Sequence, residues 1–361
     1  MFLPGFTNLL NFIAIPLQKP KKKIYNLYLF VFIVFYTSLT LTSLVHIFKV
    51  NYMKSNPMNA ILHILVYLAI NVVDIVAIVQ GGFCKSVHNE NLVLRLEEVR
   101  LFVNQKMKTQ TEKKLLKIQK RAFVFIHVIL VPWLIFMSFW VYHMTGYKMF
   151  LIYALVYFNH YFTSMEVMKM LMLLQFIRHF LHNINTLFFK ALNEKTFDLE
   201  VFLKTYDKLL DCVTFFNSGF GLQILGTSIV TPLVMVQAIF FNLSQIVFPS
   251  LIRTIVVNVA TLIKFLLFLI LSYMIATPSQ KIRKEFQNTR RMCHSFGAKV
   301  GCNERQKVVE LVGAQMNYRK THISAFGFFD ADYTMILNIL VSTVSYVIVF
   351  LQINAKLPKN L

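Results

Sequence analysis

The chain has 361 residues, 57% of them hydrophobic and only 15% charged, with a formal net charge of +21. Soluble proteins of such length carry about 25% charged residues, so a soluble globular enzyme or carrier is the wrong class. The 37 Lys and Arg outnumber 16 Asp and Glu, but they are shared among separate loops rather than gathered in one patch, and nucleic acid is not an expected partner.

The apolar residues fall in blocks of roughly 20 or more, the length that crosses a bilayer. In chain order the blocks predict seven membrane helices, at 24–48, 61–83, 122–141, 149–176, 221–241, 251–275 and 326–353, and hence an all-α membrane protein. Ahead of the first block, Pro4 and Pro16 interrupt the apolar run, and Lys19 to Lys23 follow it. A secretory signal has its positive charge first, so residues 1–23 are read as a cytoplasmic segment. The second span carries His63, Tyr67 and Asn71 on one face, with Asp74 deeper. Phe136, Trp140 and His143 share a face of the third span, and Tyr153, Tyr157 and His160 share one of the fourth. Such aromatic and imidazole groups suit a small organic ligand, and they suit plain helix packing as well. Glu166 and Lys169 stand three apart and can pair locally. The fifth span holds Gly226 and Pro232, which membrane helices tolerate when neighbours repair the backbone, and Gln237 as a further ligand candidate. Asn242-Leu243-Ser244 is a glycosylation sequon just beyond it. Lys264 in the sixth span lies at a depth similar to Asp74, which predicts an ion pair between them, since an unpaired charge at a helix centre costs about 2.5–3.5 kcal/mol on insertion scales.

Topology follows from the basic residues. Lys19 to Lys23, the cluster from Lys85 to Arg121, that from Arg178 to Lys208 and that from Lys281 to Lys320 alternate with sparse segments holding only Lys49, Lys54, Lys148, Lys356 and Lys359. Positive charge stays inside; the N-terminus is therefore expected in the cytoplasm and the C-terminus outside. Three inner segments, 86–120, 184–218 and 303–325, repeat apolar residues at helical spacing. They predict amphipathic helices that extend the spans into a cytoplasmic layer. Cys84, Cys212, Cys293 and Cys302 all fall on the inner, reducing side, without zinc spacing, so neither disulfides nor a metal site is expected. No nucleotide-binding loop, nucleophile elbow or metalloprotease motif occurs, no catalytic residue is assigned, and no cofactor is implied. No internal repeat supports a transporter built from inverted halves.

The last span ends in Ser345-Tyr346, five apolar residues from Val347 to Leu351, and Gln352-Ile353. Ser342, Ser345, Val349 and Ile353 form one stripe of the helix. A ring of Val349 and Ile353 can block ions by dewetting, with Gln352 beside it able to hydrogen-bond between subunits; the same stripe also fits an ordinary helix–helix contact. The segment resembles the insect gustatory receptor family, whose last helix closes on Thr-Tyr, five apolar residues and Gln-Phe. Upstream, Ala325 to Asp332, with Gly327, Phe329 and Asp332, resembles that family's entry into the same helix. Ile353 stands where the family has Phe at its gate, and Ser345 stands for Thr.

The resemblance implies a plasma-membrane, multi-pass taste receptor that is itself a ligand-gated cation channel. Four copies, or copies with related subunits, surround a pore lined by the last helix and sit in membrane lipid. A small-molecule tastant enters from outside among spans two to six and opens a path for monovalent cations, with divalent ones as an option. On this plan residues 1–23 are the cytoplasmic N-terminal segment and 24–276 the ligand-binding bundle of spans one to six. Residues 277–325 are the anchor region with the first half of helix seven, 326–353 the pore helix and 354–361 the outer tail. Related insect odorant receptors share the fold, so an odorant-receptor-like subunit is the alternative; a membrane transporter is a more distant one.

Overall fold

Backbone N–H and C=O groups find no water inside a bilayer, so long apolar segments close their hydrogen bonds internally as helices. The computed structural model describes residues 57–80, 86–107, 147–193, 199–244, 251–297 and 304–356, with scattered positions between 30 and 42 and between 117 and 139. Seven helices occupy the continuous stretches: α1 (Pro57–Val79), α2 (Ser86–Met107), α3 (Tyr147–Asn193), α4 (Leu199–Ser244), α5 (Leu251–Gly297), α6 (Glu304–Tyr318) and α7 (Tyr333–Lys356). Pro57 opens α1 at a position where a missing N–H leaves nothing unpaired. Among the described residues, four helices hold stretches long and apolar enough to cross a membrane: Ile61–Val79, Glu200–Phe240, Asn258–Ser295 and Tyr333–Ile353.

At 1.5 Å per residue, the 47 residues of α3 reach about 70 Å, more than twice the hydrocarbon thickness. Helices α4 and α5 are as long, at 46 and 47 residues. Each therefore runs past any bilayer it crosses. Pro232 lies inside α4, where Ser228 and Thr231 bond back to Ile224 O at 2.8 Å and Thr227 O at 2.7 Å.

The overhanging ends build the main core. Val93, Leu96, Val99 and Val103 of α2 pack with Phe176, Phe180 and Phe188 of α3, Phe202 to Phe220 of α4, and Val309, Val312 and Met316 of α6. An aromatic ladder crosses it: Phe188 stacks on Phe202 at 4.5 Å, Phe202 on Tyr206 at 5.9 Å, and Tyr206 meets Phe286 edge-on at 6.1 Å. Aromatic pairs like these add about 0.5–1.5 kcal/mol each beyond the area they bury. Charged residues tie the rim. Arg319 bonds Asp207 at 2.5 Å and also Asp211, while Glu98 accepts from Lys208 at 2.9 Å and Arg95 at 3.0 Å. The Lys208 ammonium is the main reason the Glu98 carboxyl titrates below its ordinary range. Cys212 and Cys293 are buried free thiols; Cys84 and Cys302 lie outside the described residues.

The apolar block predicted at 326–353 is not one helix. Its start belongs to a hairpin of β1 (Ser324–Ala325) and β2 (Phe329–Asp330), with Ser324 opposite Asp330 and Ala325 opposite Phe329. Phe326 and Gly327 turn it with φ of 54° and 87°, a left-handed conformation glycine adopts freely and phenylalanine rarely does. The hairpin seats on α4 because Gly221 has no side chain: a Cβ there would stand 2.9 Å from Phe326 N and 3.3 Å from Ser324 O. Asp332 then caps α7, accepting from Thr334 N at 2.9 Å and Thr334 Oγ1 at 2.6 Å. From α5, Arg283 clamps Asp332 at 2.7 Å and Asp330 at 3.1 Å, and His322 adds a contact to Asp330 at 3.3 Å.

Candidate functional site

Two regions of the bundle bear on function: a polar cluster among α1, α3, α4 and α5, and the surface of α7. The cluster begins with Asp74. Its carboxylate is buried and accepts from Tyr36 Oη at 2.9 Å and from Thr163 Oγ1 at 2.9 Å. One helical turn away, Asn159 Nδ2 donates to Asn71 Oδ1 at 2.9 Å. Beyond that pair, Gln237 bridges two helices. Its Nε2 lies 2.6 Å from His63 Nδ1, and its Oε1 accepts from Lys264 Nζ at 2.8 Å. The expected Asp74–Lys264 ion pair is therefore not formed: Lys264 sits at the level of His63, eleven residues or about 16 Å along α1 from Asp74, and hydroxyl donors satisfy the carboxylate instead.

His63, Tyr67, Asn159, His160 and Lys264 line a cavity of about 10 Å³, with Val66 and Ile70 as its apolar wall. That is about the space one water needs. His160 is 1% exposed, meets Phe268 edge-on at 5.5 Å, and neither of its ring nitrogens has a hydrogen-bond partner. Of the predicted ligand residues, the structure thus brings together His63, Tyr67, His160 and Gln237. Phe136 does not line this cavity and is 53% exposed. Trp140 and His143 lie outside the described residues, as do the side chains of Tyr153, Tyr157 and Asn242. Sequence reasoning overlooked Asn159 and the place of Lys264 in this cluster. A polar residue beside His160 on an apolar helix was the available signal for the first; nothing in the sequence pointed Lys264 at Gln237.

Glu166 and Lys169 do pair within α3, at 2.7 Å, both almost fully buried. The Lys169 ammonium also lies 5.3 Å from the centre of the Phe220 ring. Among the described residues, no three His, Cys, Asp or Glu gather closely enough to hold a metal ion.

On α7 the covered face is formed by Met335, Ile339 and Thr343, all buried. Thr343 reaches Met235 Sδ of α4 at 3.4 Å, and Phe350 meets Phe240 edge-on at 5.8 Å. Ser345, Val349, Gln352 and Ile353 are exposed, Val349 by 48% and Ile353 by 44%. Ser342 and Tyr346 border a groove of about 240 Å³ between α7 and α4, closed on the other side by Ser228 and Pro232. Only 17% of the most apolar stretch of α7 is buried, against 50% for α1 and 56% for α4. Among the described residues, most of the surface of this helix, Ser345 and Gln352 included, is uncovered.

A model of the 7tm chemosensory receptor family matches residues 5–356. No curated protein matches the sequence. Among solved structures, the insect olfactory receptor OR5 from Machilis hrabei in complex with eugenol superposes with a TM-score of 0.70 at 12% identity, covering 97% of both chains. A second structure of that receptor gives a TM-score of 0.68 at 14% identity, again over 97% of each chain. At these identities the likeness is one of fold.

Proposed function

The chain belongs to the 7tm chemosensory receptor family, and on that premise we propose that it is a gustatory receptor acting as a ligand-gated cation channel. It crosses the plasma membrane seven times, with the N-terminus inside and the C-terminus outside. Four copies, or copies with related subunits, join along α7, and an external small molecule opens the pore. The observation that carries this reading is the exposure of α7. Polar groups on a membrane helix face protein or water rather than lipid, and Ser345 and Gln352 lie on a surface this chain does not cover. A ring of such helices places Val349 and Ile353 around a narrow apolar constriction that excludes ions until it widens. The neighbour's complex with eugenol supports a small organic ligand here, in the polar cluster around His63, His160 and Gln237. Neither a cofactor nor a chemical step is required.

The test has two parts. The purified protein is weighed in detergent, and ligand-evoked cation current is recorded from cells displaying it. A tetramer with ligand-dependent conductance supports the channel; a clean monomer, or uptake that saturates without conductance, sinks it in favour of a transporter. A second reading, an odorant-receptor-like subunit, is favoured by the olfactory receptor structures it superposes on. Gating by volatile apolar compounds but not by soluble tastants selects that reading.

A further inference from the structure

Among the described residues Lys264 is a cation without an anion. Its partner is the neutral amide oxygen of Gln237 at 2.8 Å. Asp74, the carboxylate expected to pair with it, bonds Tyr36 and Thr163 instead. Ionisable residues inside membrane helices are expensive and usually paired, so an ammonium satisfied only by an amide is an incomplete arrangement. A second, independent observation lies across the same cavity. His160 is 1% exposed and faces it with two unpartnered nitrogens, although an imidazole offers one donor and one acceptor. With His63, the lining carries three basic groups, no acidic one, and an apolar wall of Val66 and Ile70.

We propose that this cavity takes a small organic carboxylate, an acidic ligand with a short apolar tail. The proposal rests on the receptor reading above and defines the ligand of that receptor. One carboxylate oxygen replaces Gln237 Oε1 on Lys264 Nζ, and the other accepts the ring N–H of His160. The tail lies along Val66 and Ile70. The exchange is favourable because hydrogen bonds between ionised partners are roughly twice as strong as neutral ones. A neutral sugar or alcohol supplies no charge to match Lys264, and an amine adds a like charge. The resting cavity of about 10 Å³ admits about one water. Entry therefore requires Gln237 to leave both Lys264 and His63, which undoes the amide bridge between α1, α4 and α5.

The full-length protein in phosphatidylcholine nanodiscs is titrated with straight-chain carboxylates from butanoate to octanoate. Alcohols and amines of equal length, and sodium chloride, serve as comparisons, with the melting temperature as readout. Carboxylates are expected to raise it at concentrations where alcohols, amines and chloride do not. Lys264→Met should weaken the carboxylate effect at least tenfold, while Lys264→Arg retains it. Equal binding of acid and alcohol, a chloride effect as large as that of hexanoate, or undiminished hexanoate binding in a properly eluting Lys264→Met overturns the proposal. Should Lys264→Met not fold, Gln237→Ala decides: by freeing the ammonium it should tighten hexanoate binding, and weaker binding refutes the idea. Current recordings separate this proposal from the one it rests on. Hexanoate binding without current removes the channel and leaves the ligand class; current from hexanol but not hexanoate removes the ligand class and leaves the channel.

Discussion

Asp332 joins the hairpin to α7 through two separable interactions, and replacing it by Ala and by Asn tells them apart. Ala removes the cap, whose loss costs about 1 kcal/mol in typical helices. It also removes the Arg283 bond at 2.7 Å. That guanidinium side chain is 41% exposed and keeps Asp330 at 3.1 Å, so solvent screening limits this second loss to below about 1 kcal/mol. The expected total is about 1–2 kcal/mol, or a roughly fivefold to thirtyfold shift in the folding equilibrium at about 1.4 kcal/mol per decade. Asn caps as well as Asp and loses only the ionic part. Stability should fall in the order parent, Asp332→Asn, Asp332→Ala, read as melting temperature in nanodiscs and as surface expression. Arg283→Met should add to Asp332→Asn only the loss of its part-exposed contact with Asp330 at 3.1 Å. If Asn proves as harmful as Ala, the cap contributes nothing; if neither variant differs from the parent, the clamp at the foot of α7 has no energetic role.

At the other end of α7, Ile353→Ser or Ile353→Asn should raise ligand-free cation current at matched surface level, and Gln352→Ala should alter or abolish activation. Phe350→Ser, which loses its contact with Phe240 at 5.8 Å, should act through expression; resting current in Phe350→Ser but not in Ile353→Ser would put the pore on the wrong face. Two glycines give opposite expectations. Gly221→Ala forces a Cβ to 2.9 Å from the hairpin backbone and should destabilise by about 1–3 kcal/mol, whereas Gly313→Ala meets nothing within 4 Å and should stabilise α6 by up to about 1 kcal/mol; equal melting temperatures for the two would contradict the seating of the hairpin. A tag at the N-terminus should be hidden in intact cells and one after Leu361 exposed, and surface staining of the N-terminal tag would reverse the topology.

Four of the seven predicted spans, the second, fifth, sixth and seventh, coincide with helices apolar enough to cross a membrane, because apolar length alone announces them; the blocks at 24–48 and 122–141 lie largely outside the described residues. The buried faces of α2 and α6 were legible too, where Leu96, Val99 and Val103, then Val309, Val312 and Met316, recur at helical spacing. The hairpin was not. Residues 324 and 325 read as the end of an amphipathic helix and 326–330 as the start of an apolar block, while contacts with Asn217, Gly221 and Arg283, far away in sequence, hold two strands of two residues each. Placement was the harder loss in the candidate site. A sequence bounds a span to within a few residues, yet the depth and direction of each side chain depend on how the helices slide and turn against one another. Hence Lys264 meets Gln237 at the level of His63, about three turns of α1 from Asp74, and Phe136 does not line the cavity that His63, Tyr67 and His160 share.

One turn of α4 looks both ways. Gln237 belongs to the polar cluster, while Met235, Val236 and Phe240 carry Thr343, Val347 and Phe350 of α7. Neighbouring helix residues point about 100° apart, so a single segment touches the polar cluster and α7 at once; if these serve as ligand site and pore helix, as proposed, it couples the two. Half-maximal ligand concentrations will then mix two quantities, because apparent affinity scales with the fraction of protein already in the binding-competent state. A substitution at Met235, Val236 or Phe240 can then change sensitivity to a stimulus without altering a single ligand contact. Sequence differences among relatives at these positions should accordingly be read as changes in threshold before they are read as changes in ligand preference.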